Sequence, residues 1–157
     1  MISLHNRTEQ HVEIYFYKTR DKEIQTLLPQ KAKTLEEALQ DYQETLAGNV
    51  SSYGQTIYVN DQYVGDIWCY GIHKDTNPDA MVSYCIFEKD YWNQGVATKA
   101  LELFLKDIRN QFGVNNIGAF TYSLNAGSIR VLEKNGFQLD EIFVEDGIES
   151  RYFLLNR

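Results

Sequence analysis

The sequence predicts an α+β fold in which one mixed sheet is interleaved with three helices. Two observations carry that expectation. Along the chain, stretches with apolar residues at every second position give way to stretches where they recur every three to four. The last two strand-like runs flank Asp146-Gly147, a strong hairpin dipeptide, so they run antiparallel and a purely parallel doubly wound sheet is disfavoured.

The elements follow in order. Val12, Ile14 and Phe16 alternate with Glu13, Tyr15 and Tyr17, which predicts a first strand. Thr34 followed by Glu37 forms a capping-box pattern. Leu35, Ala38, Leu39, Tyr42 and Leu46 recur at helical spacing behind it, and Gly48 ends that helix. Thr56 to Val59 and Tyr63 to Trp68 flank the turn-forming Asn60-Asp61-Gln62 and predict a hairpin. After a polar break over 74–79, Met81 to Phe87 reads as a further strand. Ala97, Ala100, Leu101, Phe104, Ile108 and Phe112 line one face of the longest predicted helix, opposite Lys99, Glu102, Lys106 and Arg109, and Gly113 closes it. Asn116 to Tyr122 reads as a strand and Ala126 to Asn135 as a short helix stopped at Asn135-Gly136. Ile142 to Glu145 and Ile148 to Leu155 form the final hairpin.

Composition bounds the function. The 157 residues predict a single domain spanning 1–157. With 43% hydrophobic and 24% charged residues the chain is neither disordered nor collagen-like. No apolar run reaches the roughly 18 residues a membrane span needs, so no membrane association is expected. Residues Met1 to Arg7 lack a basic segment followed by an apolar one, which predicts no secretory signal and a cytoplasmic location. Cys69 and Cys85 stand apart and read as buried free thiols, and His5, His11 and His73 form no short-spaced ligand set, so no metal site is expected. The net charge of −7 disfavours a nucleic-acid partner and suits a basic small molecule or peptide. An aromatic content of 13% is more than a small core requires and is compatible with a homodimer interface.

The chemistry concentrates in Tyr91 to Thr98, between the strand ending near Phe87 and the long helix. A strand feeding a small-residue turn that opens a helix leaves backbone N–H groups pointing outward at the positive end of the helix dipole, where phosphates bind. Gly95 lets a phosphate approach the backbone, Ala97 keeps the next position small, and Asn93 tolerates the left-handed conformation of a tight turn. Neither G-x-G-x-x-G nor the P-loop pattern is present, and a helix that uses glycine simply to start reads equally well from this loop alone.

A second motif weighs against that plainer reading. Asn125-Ala126-Gly127-Ser128 opens the short helix, and Val131-Leu132-Glu133-Lys134-Asn135-Gly136-Phe137 closes it. Trp92-Asn93-Gln94-Gly95-Val96-Ala97-Thr98-Lys99-Ala100, followed about 25 residues later by Asn125 to Phe137, resembles the GCN5-related N-acetyltransferases. It is most similar to the branch containing the ribosomal-protein N-terminal acetyltransferases, with Trp-Gly-x-Gly-x-Ala-Thr-Glu-Ala and then Asn-x-x-Ser-x-x-Val-Leu-Glu-Lys-x-Gly-Phe. The resemblance implies a mixed, mostly antiparallel central sheet flanked by helices, with central strands that splay to admit acetyl-CoA. It implies acetyl transfer to a primary amine, a peptide N-terminus or a small cationic amine, by direct attack in a ternary complex. In that reading the amides around Gln94, Gly95, Val96 and Ala97 hold the pyrophosphate, Asn93 and Thr98 beside them also belong to the cofactor site, and the pantetheine lies along Cys85, Ile86 and Phe87. Asn125 bonds the pantetheine arm, and Ser128 sits near the sulfur. As chemistry, the departing thiolate needs one hydrogen-bond donor, for which Ser128 is the candidate, and the oxyanion needs a backbone N–H from Cys85 to Phe87.

The pattern has departures. Asn93 replaces the first glycine of the loop. Leu132 stands where many relatives carry a tyrosine acid, and Phe120 where others carry a glutamate base. Asp66, Tyr70, Ser83, Tyr84 and Glu88 remain as base candidates by position, although Asp66 and Glu88 read first as solvated strand-edge carboxylates and the tyrosines as core. Lys99, Arg130 and Lys134 read as solvated cations that also lie within reach of a 3′-phosphate. The two missing acid–base groups motivate the alternative function, a CoA-binding sensor or interaction module with little or no catalysis.

Overall fold

The computed structural model describes residues 1–28, 32–47, 51–73 and 77–156. The chain runs β1 (Ile2–Asn6), α1 (Glu9–Lys18), α2 (Lys22–Leu27), α3 (Leu35–Thr45), β2 (Tyr53–Val59), β3 (Gln62–Tyr70) and β4 (Ala80–Ile86). It continues through a single 3₁₀ turn at Lys89–Tyr91 into α4 (Val96–Phe112), β5 (Ile117–Tyr122), α5 (Ala126–Lys134), β6 (Gln138–Glu145) and β7 (Ile148–Leu155). The sheet order is β1-β2-β3-β4-β5-β7-β6, and every neighbouring pair is antiparallel except β4–β5. This is the mixed, mostly antiparallel sheet flanked by helices that the resemblance implied.

Three expectations are corrected. Residues 12–17, read as a strand, lie inside α1. Five of the six residues from Val12 to Tyr17 are apolar or aromatic, so they satisfy a period of two as readily as 3.6. The cap decides: Thr8 Oγ1 accepts from His11 N at 3.3 Å while His11 Nδ1 accepts from Thr8 N at 3.1 Å. Val12 and Thr19 are then buried, whereas Ile14 and Tyr17 face solvent. Three predicted helices become five α-helices among the described residues, α2 being a short one capped by Asp21, whose carboxylate accepts from Ile24 N at 3.1 Å. The sheet also gains β1, which pairs with β2 at the edge.

The remaining elements stand within a few residues of their expected bounds. Thr34 and Glu37 form the capping box of α3; Gly48 lies outside the described residues. The two hairpins turn through left-handed Asn60 and through Asp146-Gly147. On one side of the sheet, Val96, Ala100, Leu101, Phe104, Leu105 and Ile108 of α4 pack with Ile67, Val82, Ile117 and Phe153 into the main core. Successive residues of β4 point to opposite faces, so Cys85 and Phe87 join Tyr15, Ile24, Leu28 and Tyr63 in a second cluster beneath α1 and α2.

The feature that positions a site lies between β4 and β5. Their parallel pairing comprises only Ala80↔Ile117 and Met81↔Gly118, and beyond Met81 the strands part. On its other edge β4 stays paired with β3 up to Gly65↔Ile86, where a Cβ on Gly65 would come within 2.3 Å of Cys85 O. One side of β4 is thus held and the other left open.

Candidate active site

The turn after β4 is built from two left-handed residues, Asn93 at φ 61° and Gly95 at φ 79°, the conformation asparagine and glycine adopt at least cost. Gly95 is the N-cap of α4 and offers no side chain to the first-turn amides, and that turn carries no acid. The N–H groups of Val96, Ala97 and Thr98 therefore lack a side-chain cap at the positive end of a 17-residue helix. Gln94 turns its side chain back to Asp90 O at 2.6 Å. Trp92 packs beneath the loop against both clusters and donates from Nε1 to Ile86 O at 2.7 Å, which ties the loop to the open edge of β4.

Across the opening, α5 begins at Asn125, whose Oδ1 accepts from Ser128 N at 3.1 Å. That leaves its side-chain amide nitrogen as the donor it offers outward. Ser128 Oγ lies 2.9 Å from the hydroxyl of Tyr84, which reaches over from β4 and also approaches Ser128 O at 3.2 Å. Burial holds the Tyr84 phenol well above its ordinary titration range, the bond to Ser128 offsetting part of the effect.

These parts enclose a cleft of about 450 Å³, within the range of small-molecule sites. Asn93, Gly95, Val96, Ala97 and Thr98 line one end, Cys85 and Ile86 the open strand, and Asn125 and Ser128 the far wall. Gln94 and Phe87 stand outside the lining. Phe87 turns into the second cluster and gives its N–H to Val64 O at 2.9 Å. By antiparallel alternation Cys85 then also directs its backbone groups at β3, whereas Tyr84 and Ile86 turn theirs to the open side. Of the three residues expected to offer an amide, Ile86 alone directs one into the gap. Burial pushes the Cys85 thiol up to about 12, which makes it an inert wall.

Among the described residues lining the cleft there is no Asp, Glu or His, and the two charged side chains are Arg130 and Lys134. Arg130 donates to Asn93 Oδ1 at 2.9 Å, and Lys99 faces away and pairs with Glu102 at 3.2 Å. Leu132 is fully buried and Phe120 is half exposed against Phe143 and Tyr152, so neither brings an acid–base group to the cleft. Glu88 pairs with Lys18 at 3.0 Å. Asp66 corrects its expectation: it is buried, not solvated, bonded to Tyr63 and in an ion pair with Arg7 at 3.2 Å. Sequence reasoning missed Arg7, Tyr15 and the pairing of Tyr84 with Ser128, none of which lies in a motif.

Asp66 belongs to a second cavity, of about 720 Å³, between α1, α3 and the β2–β3 side of the sheet. Tyr15, Phe16, Tyr42, Tyr53 and Trp68 contribute its aromatic walls, and Glu37, Asp41, Glu44 and Asp66 outnumber Arg7 and Arg20. The two spaces meet at Leu28, which lines both, and at the hydrogen bond between Tyr15 and Cys85. Among the described residues no cluster of His, Cys, Asp and Glu is arranged to hold a metal ion, and no helix is long and apolar enough to cross a membrane.

The cleft suits CoA on this chain's own features. Uncapped amides and a glycine whose added Cβ would meet nothing within 4 Å stand at one end, and an unpaired strand edge runs from them toward a hydroxyl pair. Comparison with known proteins agrees. Residues 2–138 match the model of the acetyltransferase (GNAT) domain family. The sequence matches none of the curated proteins. Among solved structures, the fold is similar to that of spermidine N-acetyltransferase from Vibrio cholerae in complex with CoA and spermine, at 12% identity and a TM-score of 0.86, covering 99% of this chain and 95% of that one. Aminoglycoside acetyltransferase AAC(6′)-Ib in complex with coenzyme A follows at 17% and 0.83, covering 100% and 95%. Mycobacterium smegmatis RimJ in complex with CoA-disulfide follows at 14% and 0.81, covering 99% and 81%. The match over most of its length, on a sheet that parts where an acyl-CoA must enter, establishes that this chain belongs to the GNAT family of acetyltransferases.

Proposed function

We propose that the protein moves an acetyl group from acetyl-CoA to a primary amine by direct attack in a ternary complex. The observation that carries this reading is the parting of β4 from β5 over a cleft with uncapped helix amides at one end and Ser128 at the other. Acetyl-CoA supplies the acetyl thioester. The amides of Val96, Ala97 and Thr98 hold the pyrophosphate, with Arg130 and Lys134 adding positive charge along the same wall. Asn125 and the open edge at Tyr84 and Ile86 orient the amide-bearing arm. The Ile86 N–H is the donor placed to stabilise the oxyanion, and Ser128 donates a hydrogen bond to the departing sulfur. With no carboxylate or imidazole among the described residues on the cleft lining, the proton of the amine leaves through solvent.

The acceptor comes from the side of the second cavity. Its aromatic walls and four carboxylates favour a cationic amine, either a peptide N-terminus or a small amine, and Leu28 and the Tyr15–Cys85 contact separate it from the cleft by one layer of side chains. The alternative, a CoA-binding module without catalysis, draws on Leu132 and Phe120; the Tyr84–Ser128 hydroxyl pair in the cleft favours the enzyme. A thiol-release assay with acetyl-CoA against N-terminal peptides, spermine and an aminoglycoside tests the choice. Release with one class establishes both the enzyme and its acceptor. Tight CoA binding with no release across the panel would leave the module.

A further inference from the structure

The motif tyrosine is missing from α5, yet a phenol meets that helix from another direction. Leu132 fills the motif position inside the core, one helical turn beyond Ser128. Tyr84 comes from β4, three positions past the last β4–β5 backbone pair, and reaches across the gap to Ser128. It is the side chain that bridges the parted strand to the helix at the cleft wall.

The pair offers two arrangements of protons. In one, Ser128 donates to the phenol oxygen and spends its only hydrogen there. In the other, Tyr84 donates to Ser128 Oγ and the serine hydrogen is free to point into the cleft. The 2.9 Å contact with Oγ serves either arrangement, and the 3.2 Å approach to Ser128 O takes the phenol hydrogen in the first; only the second leaves a hydrogen for a sulfur in the cleft. Ser128 O also serves the helix as acceptor for the N–H four residues on. Burial raises the phenol well above its ordinary titration range, so it keeps a hydrogen to donate at neutral pH.

We propose that Tyr84 is the positioning residue of the acetyl-transfer site: its hydroxyl donates to Ser128 Oγ and thereby aims the Ser128 proton at the sulfur of the bound thioester. The proposal rests on the acetyl-transfer reading above. Ser128 is the group that meets the sulfur, and Tyr84 acts through it. When the carbon–sulfur bond breaks, its electron pair stays on sulfur and the Ser128 hydrogen bond stabilises that charge. No proton leaves Tyr84; the proton released by the amine is the one that balances the thiol. Without Tyr84, the serine hydroxyl is free to turn onto a backbone carbonyl at the start of the helix, a local bond that serine commonly makes.

The test is Tyr84→Phe, which keeps the ring and removes the donor. Its turnover number falls about tenfold while the KM for acetyl-CoA stays within about twofold, the loss of one hydrogen bond made in the transition state. Ser128→Ala lowers turnover to the same degree, and the double variant loses no more than either single one. A readout independent of turnover is calorimetric titration with CoA and desulfo-CoA. Wild type binds CoA more tightly than its sulfur-free analogue, and Tyr84→Phe erases that preference while binding desulfo-CoA as before. A purely structural Tyr84 would weaken both ligands alike, and an unchanged preference or additive losses would overturn the proposal. Failure of wild type to bind either ligand would instead sink the acetyl-transfer reading itself.

Discussion

Gly95 carries the demand most open to a single substitution. Its φ of 79° costs a side-chain-bearing residue about 1–2 kcal/mol, and a side chain there meets nothing in the protein and stands in the mouth of the cleft. Gly95→Val is expected to lower the melting temperature by about 2–8 °C while weakening acetyl-CoA at least about tenfold by titration calorimetry, since it blocks charge-assisted amide contacts. Unchanged affinity would remove the loop from the cofactor site. Asn93, Gly95, Asn125 and Ser128 were legible because each sits in a local strand–turn–helix pattern. Asp66 was not: only the fold brings Arg7 and Tyr63 around it. Burial raises its carboxyl above the ordinary 3.8, outweighing Arg7 and Tyr63. The folded state therefore binds that proton more tightly than the unfolded chain. The stability it contributes is full below pH ~4 and is lost as pH rises through the folded-state value. Measured by thermal melts, the advantage of wild type over Asp66→Asn should shrink from pH ~4 upward; an advantage that grows with pH would contradict the assignment.

Elements were legible in proportion to their length and to the sharpness of their ends. The 17 residues of α4 present one apolar stripe between two left-handed glycines and left no ambiguity. The first of the helices went unread because residues 12–17, apolar or aromatic at every position but Glu13, fit two periods and its N3 partner is a histidine instead of the usual Glu or Gln. The parting of β4 and β5 is a relation between strands and leaves no trace within either. α3 differs from α4 in burying none of its residues, so its ends matter more than its face. Thr34→Ala removes one half of its capping box and should cost about 1 kcal/mol. The loss is expected locally, as hydrogen exchange quickened about fivefold at Ala38 and its neighbours, with the exchange of α4 unchanged. Equal acceleration in both helices would show that α3 unfolds only with the whole.

At the scale of the molecule, the net charge of −7 is unevenly spread. The cleft has Arg130 and Lys134 on its lining and no acid among the described residues, while the second cavity has four carboxylates against two guanidiniums. A polyanionic cofactor thus meets amides and two cations inside a protein whose overall field repels it, and these two effects oppose. The cationic acceptor proposed above would meet an acidic cavity inside a field that attracts it, and these add. Salt screens exposed charges over a Debye length of about 10 Å at 0.1 M, so it acts unequally on the two substrates. Raising ionic strength from ~0.05 to ~0.5 M is expected to raise the acceptor KM several-fold and to move the acetyl-CoA KM less than about twofold. Asp41 and Glu44 stand on the rim formed by α3, away from the cleft. Asp41→Lys with Glu44→Lys should reproduce the salt effect on the acceptor at low ionic strength and leave CoA titration unaltered. An acceptor KM insensitive both to salt and to this reversal would place the amine elsewhere than the acidic cavity, whatever the fate of the cofactor cleft.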